Sequence, residues 1–277
     1  ADALAHEAAS QVVLTGRSGR AGGSSSLRGL CGRRGGGPSV VLVRCDASAS
    51  DERAACFGTA ARVEAQPGCG RLGGVLHAAG VLADGMAVGQ TASRMRVSFA
   101  PKVPSASGMA STAQLQGLQM CVQFSSISAL CGSSGQTNYA SSNSVLDYLA
   151  GLQRTGGVPC RSLQWGPWSA VGMATQGRTL SRLEMMGLTP LAPLAGLGAL
   201  GHAVQAAQGG GAVCANAPSY WAAFLRLLQR PPGFFGPLSE AHAAALSSQE
   251  PGLASAGAVA VQRGDLRAGD VQKQLEG

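Results

Sequence analysis

The stretch "SSISALCGSSGQTNYASSN", residues 125–143, places a serine at 126, a tyrosine thirteen residues later at 139 and an asparagine at 143. A lysine, Lys102, lies 24 residues ahead of the serine. These four residue types suit one chemistry. Reducing a ketone takes a hydride, a proton and a partner for the forming alkoxide. A tyrosine phenol gives the proton, although its free pKa is about 10. A neighbouring cation favours the phenolate and brings that value toward working pH. A serine hydroxyl holds the carbonyl oxygen, and an asparagine side chain holds a water or the lysine in place. The hydride has to come from a nicotinamide cofactor. Lys102 and Lys273 are the only lysines in a chain of 277 residues whose basic side chains are otherwise arginines. A structural use of the Ser and Tyr alone is the plain alternative. The Asn four residues on and the upstream Lys weigh against it.

The elements that must position these residues are legible as short apolar runs alternating with helical stretches. Residues 11–15, 39–44, 73–79, 120–126, 160–166 and 211–215 read as strands. They are continuously apolar rather than alternating, as buried parallel strands are. Helices are expected over 51–65, 91–117, 138–154, 179–187, 193–208 and 219–229. This alternation predicts an α/β fold with a doubly wound parallel sheet. Ser126 then stands at the carboxyl end of a strand, the edge where open α/β sheets bind ligands. Tyr139 and Asn143 share one face of the next helix. Residues 19–38 are rich in Gly, Ser and Arg and read as a loop, with at most a short turn from Ser26 to Cys31. Pro104 falls inside the 91–117 stretch and suits only a first helical turn.

Composition narrows the function classes. Charged residues are 13% of the chain, about half the usual share, and the net charge is +7. The arginines form no stripe interleaved with aromatics, which are only 4%. That argues against a nucleic-acid surface and suits an acidic partner or a phosphate-bearing cofactor. The eight cysteines form no CxxC pair and do not cluster with the four histidines, so no metal site is expected. Cysteines in apolar runs behave as small hydrophobes and point to a reducing, cytoplasmic setting. No apolar run is long enough for a membrane span, and the first ten residues lack a signal-peptide core.

The segment "FSSISALCGSSGQTNYASSNSVLDYLA" resembles the catalytic segment of the ketoreductase domain of modular polyketide synthases, a branch of the short-chain dehydrogenase/reductase superfamily. Lys102, Ser126, Tyr139 and Asn143 match that branch in type and spacing. The resemblance extends to "GGVLHAAGVLADGM" (73–86), "LQWGPWSAVGMA" (163–174), "RLEMMGLTPLAPLAGLGAL" (182–200) and "YWAAFLRLL" (220–228). It implies a Rossmann-like fold and NADPH-dependent reduction of a β-ketoacyl thioester carried by an acyl carrier protein, within an assembly of other polyketide synthase domains. It also implies site roles. In "LTGRSG" (14–19), Arg17 and Ser18 would meet the 2′-phosphate of NADPH, with a solvated loop arginine as the plain alternative. In "CDAS" (45–48), Asp46 and Ala47 would lie near the adenine. In "HAAG" (77–80), Ala78, Ala79 and Gly80 would let the cofactor approach the backbone. Asp84 matches the last residue of a Leu-Asp-Asp signature tied to product configuration, with Ala83 in place of the first Asp. Gln136 fits the same type. Asp84 before Gly85 also reads as an ordinary turn residue. Trp168 in "WGPW" reads as part of a substrate lid or as a core anchor.

The resemblance covers residues 1–230, expected as one catalytic domain, with 231–277 an Ala/Gly/Ser-rich linker or tail. No Gly-rich phosphate turn precedes "QVVLTGRSG", and residues 1–9 read as the end of the helix that would follow one. The expectation is therefore a domain cut short at its N-terminus, with two unpaired inner sheet edges. Two other functions fit the sequence. One is an inactive remnant serving as an interaction module, and the other is a free-standing reductase of small ketones.

Overall fold

The computed structural model describes residues 11–18, 39–65, 70–170, 183–184, 187–205, 210–218, 224–225 and 233–236. Among these residues there are six parallel strands: β1 (Gln11–Gly16), β2 (Ser39–Arg44), β3 (Gly74–His77), β4 (Met120–Ser126), β5 (Cys160–Trp165) and β6 (Val213–Asn216). The helices are α1 (Ser50–Glu64), α2 (Ala92–Phe99), α3 (Val103–Gln116), the single turn α4 (Ser128–Cys131), α5 (Thr137–Thr155) and α6 (Pro193–Gln205). Every strand expected from the sequence is found within two or three residues of its expected ends.

The strands form two sheets rather than one. β1 pairs with β2 in parallel, Gln11 opposite Ser39 and Gly16 opposite Arg44. β3, β4, β5 and β6 form a four-stranded parallel sheet in that order. Among the described residues, the end strands β1, β2, β3 and β6 each leave one edge unpaired. The loop after β2 bridges the two parts. The Ala47 carbonyl accepts from Ser105 Oγ on α3 at 2.5 Å and from Arg53 Nη1 on α1 at 2.7 Å.

The four-stranded sheet is covered on both faces, which explains its unbroken apolar runs. Neighbouring residues of a strand point to opposite sides. Cys121 and Cys160 pack with Leu118, Val158 and Ala150 of α5. Val122 and Leu163 pack on the other face with Leu191 and with Leu200 and Ala203 of α6. The six described cysteines are free thiols.

Two sequence expectations are corrected. The single helix over 91–117 is two helices, broken at Ala100–Lys102. Pro104 has no N–H to return to the Ala100 carbonyl, so a continuous helix would leave that carbonyl unpaired. Pro104 instead sits in the first turn of α3, where no such bond is needed. The second correction concerns the tail. Phe235, in a 3₁₀ turn at Gly233–Phe235, is 1% exposed and meets Phe224 edge-on at 5.8 Å. Cys131 and Leu225 pack against the pair. The packed unit thus continues past residue 230, because an aromatic there finds an apolar seat. The expected loop at 19–38, the helix end at 1–9, most of the helices at 179–187 and 219–229, and the rest of the tail lie outside the described residues.

Candidate active site

The break between α2 and α3 is what delivers Lys102. Its N–H donates to the Phe99 carbonyl at 3.0 Å and its own carbonyl accepts from Ala106 at 2.9 Å, closing α2 and opening α3. The side chain runs inward and is 2% exposed. Its Nζ donates to the Phe124 carbonyl of β4 at 3.0 Å and stands 5.6 Å from the centroid of the Tyr139 ring. Burial pushes this ammonium down from the ordinary 10.5 to about 8, and the charge of Asp147 opposes the fall.

Ser126 ends β4, and its Oγ accepts from the Ser128 N–H at 3.2 Å, which fixes the hydroxyl at the strand's carboxyl end. Gly135, with φ +78, turns the chain into α5 in a conformation that favours glycine. Tyr139 and Asn143 follow one turn apart. Asn143 is fully buried and its Nδ2 donates to the Tyr139 carbonyl at 2.9 Å. Its Oδ1 is buried and accepts no hydrogen bond from the described residues, which leaves one acceptor for a water or a donor brought by a ligand. Burial pushes the Tyr139 phenol up; the neighbouring Asn143 amide and Ser126 hydroxyl oppose the rise, and Asp84 adds to it. The structure therefore brings Lys102, Ser126, Tyr139 and Asn143 together. It differs from the sequence reading in one respect. Lys102 lies over the ring face with its ammonium committed to Phe124, and burial, rather than the cation, decides the direction of the phenol. A phenol held above its ordinary value keeps its proton, as a proton donor must.

Asp84 and Gln136 also meet. Gln136 Nε2 donates to Asp84 Oδ2 at 3.1 Å, and the Gly85 N–H donates to the Gly135 carbonyl at 2.8 Å. Arg94 of α2 donates to the Asp84 carbonyl from outside. A residue the sequence reading passed over holds this corner: Asn138, fully buried, donates from Nδ2 to the Ala83 carbonyl at 2.8 Å, and its Oδ1 accepts the Tyr139 N–H at 2.8 Å. Its position directly before Tyr139 was the available signal. His77 was missed as well. Its buried ring sets Nε2 3.3 Å from the Lys102 carbonyl, and burial together with the Lys102 charge pushes it down to about 4.

Arg17 and Ser18 lie in the exposed turn after β1, on the two-stranded sheet. Arg17 lowers the Asp46 carboxyl, though the Ser48 hydroxyl and N–H, at 2.6 and 2.9 Å, do so more strongly. Ala47 is tied by its carbonyl to α1 and α3. Ala78, Ala79 and Gly80 follow β3 as small, partly open residues. These segments all lie at carboxyl ends of parallel strands, as Ser126 does. An arginine, an anchored aspartate and small residues there, with the open acceptor of Asn143, fit an extended dinucleotide. The Trp168 ring packs on Trp165 at 5.1 Å and against Gly196 of α6.

A family model described as the KR domain matches residues 1–170, a span that holds all four residues of the cluster. The chain belongs to the KR domain family. Polyketide synthase GfsB of Streptomyces halstedii is 38% identical over 192 residues, covering 68% of this chain and 3% of that protein. Mycoketide-CoA synthase of Mycobacterium tuberculosis is 37% identical over 151 residues, covering 54% of this chain and 4% of that protein. Among solved structures, an A1-type ketoreductase superposes with a TM-score of 0.76 at 29% identity, covering 87% of this chain and 49% of that one. The ketoreductase from the first module of phoslactomycin biosynthesis in Streptomyces sp. HK803 gives 0.71 at 31%, covering 84% and 54%. The KR-family chain thus spans about half of these ketoreductases and a few per cent of the synthases. Its parallel α/β architecture is the Rossmann-like one of the ketoreductases, a nicotinamide-dependent class. No helix among the described residues is long and apolar enough to cross a membrane.

Proposed function

We propose that this chain carries the catalytic part of a polyketide synthase ketoreductase, reducing a β-ketoacyl thioester on an acyl carrier protein to the β-hydroxyacyl thioester with NADPH. The observation that carries the reading is the convergence of Lys102, Ser126, Tyr139 and Asn143 at the carboxyl end of β4. This unit would work within a cytoplasmic assembly of other polyketide synthase domains. The small share of each synthase that the chain spans favours such an assembly over a free-standing reductase.

Arg17 and Ser18 would hold the 2′-phosphate of NADPH, Asp46 and Ala47 the adenine side, and Ala78, Ala79 and Gly80 the approach to the backbone. Bound there, the cofactor supplies the hydride. The protein's own groups do the rest. Ser126 donates a hydrogen bond to the substrate carbonyl and sets its position. Tyr139 gives its phenolic proton to the ketone oxygen as negative charge develops there. Lys102 places a buried positive charge under the ring, which eases loss of that proton. Asn143, through its open Oδ1, holds a water for reprotonation. Asp84 and Gln136 form one wall that selects substrate orientation.

The edges of β1 and β3, unpaired among the described residues, favour a second reading, in which the chain keeps the reductase shape as an interaction module. NADPH fluorescence titration of the 277-residue chain separates the two, with Arg17→Ala and Tyr139→Phe run beside it. The ketoreductase reading expects binding weakened about tenfold by Arg17→Ala, and turnover lowered at least 100-fold by Tyr139→Phe with binding intact. Absence of NADPH binding at millimolar concentration supports the module.

A further inference from the structure

Asp147 lies one turn beyond Asn143 and two beyond Tyr139, on the same face of α5. It is the only carboxylate between Asp84 and Glu184. It points inward. Ser162 Oγ donates to its Oδ1 at 2.6 Å and Gln164 Nε2 to its Oδ2 at 2.6 Å, both from β5. Ser125 of β4 adds a further hydroxyl and also donates to the Asn143 carbonyl at 3.3 Å. Short bonds from neutral donors to both oxygens suit the ionised form. Yet burying a carboxylate is costly without a countercharge.

The charged and titratable groups around Lys102 can be named element by element. β3 brings His77, held neutral by burial. α1 brings the like charge of Arg53, felt at His77. α5 brings Tyr139 and Asp147. Phe124, whose carbonyl accepts from Lys102 Nζ, pairs with Leu163 of β5, flanked by the Ser162 and Gln164 that hold Asp147. Across that short interval the Asp147 charge opposes the fall that burial imposes on Lys102, and the Lys102 charge opposes the rise that burial imposes on the Asp147 carboxyl. We propose that Asp147 is a positioning residue of this site, supplying through the protein interior the countercharge that keeps Lys102 cationic beneath Tyr139. It touches neither substrate nor cofactor; it acts through the lysine. Its catalytic consequence rests on the ketoreductase reading, but the charge coupling does not.

The chain's two lysines make the test direct. Lysine labelled with carbon-13 at Cε gives two resonances, and Lys273→Arg assigns them. The pH titration of the Lys102 resonance in the 277-residue chain is compared between wild type and Asp147→Asn. The expected result is a midpoint lowered by on the order of one pH unit in the variant. An unchanged midpoint in a folded variant overturns the proposal. If Asp147→Asn does not fold, the reciprocal measurement decides. Removing the cation by Lys102→Met must raise the titration midpoint of the Asp147 carboxyl carbon, and a midpoint that stays put refutes the coupling. Neither readout needs turnover, so a chain inactive toward ketones still tests the idea.

Discussion

Lys102→Met is the most informative single change, because it should cost activity while adding stability at neutral pH. The lysine is 2% exposed and burial takes it from 10.5 to about 8. Its folded value lies below its unfolded value. The unfolded chain therefore binds more protons between pH 8 and 10.5, and wild-type stability rises with pH through that window. Below pH 8 the folded state carries the full cost of the buried charge, about 3 kcal/mol. Methionine fills the same stem without a charge. It gives up the Nζ bond to the Phe124 carbonyl, a loss of about 1 kcal/mol. At pH 7 the variant should be the more stable by about 2 kcal/mol. Above pH 10.5 the lysine is neutral in both states, and the order should reverse by about the strength of that one bond. Urea unfolding of both proteins at pH 7 and pH 11 measures the change directly, since contributions shared by the two proteins cancel. A stability difference that stays flat within about 1 kcal/mol across the window would refute the claim that burial, opposed by Asp147, governs this lysine.

Two further changes test the scaffold around the site. Asn138→Ala removes two 2.8 Å bonds that tie Ala83 and the start of α5 together, so urea unfolding should show a loss of about 2–3 kcal/mol and proteolysis near Asp84 should quicken; a loss under about 1 kcal/mol would mean the clamp contributes little. Gly196→Ala would set a Cβ 2.3 Å from Trp168 Cη2, and the overpacking cost of about 1–3 kcal/mol should outweigh the roughly 1 kcal/mol of added helix propensity. A lowered melting temperature with red-shifted tryptophan emission is the expected result, and a rise in melting temperature would show that the Trp168 ring yields freely.

Much of the site was legible because its signals are local. The i, i+4 spacing of Tyr139 and Asn143 puts them on one helix face whatever packs around it. Ser126 follows an apolar run that can only end at a sheet edge, and the strands announce themselves by continuous apolar residues that both faces of a buried sheet require. Lys102 stood out by type alone. Other features depend on partners distant in sequence. Asp147 looks like any helical aspartate until β5 arrives with Ser162 and Gln164. Asn138 looks like a polar turn residue until the Ala83 carbonyl meets it. Trp168 meets Gly196 of α6 only through the fold. Chain order and hydrophobic spacing thus determined the strands, helices α1, α5 and α6, and the four candidate residues. Only the packing of α3, α5 and β5 on β4 decided which charges are buried together, because burial and Coulomb interaction depend on distances through the folded interior rather than on separation along the chain.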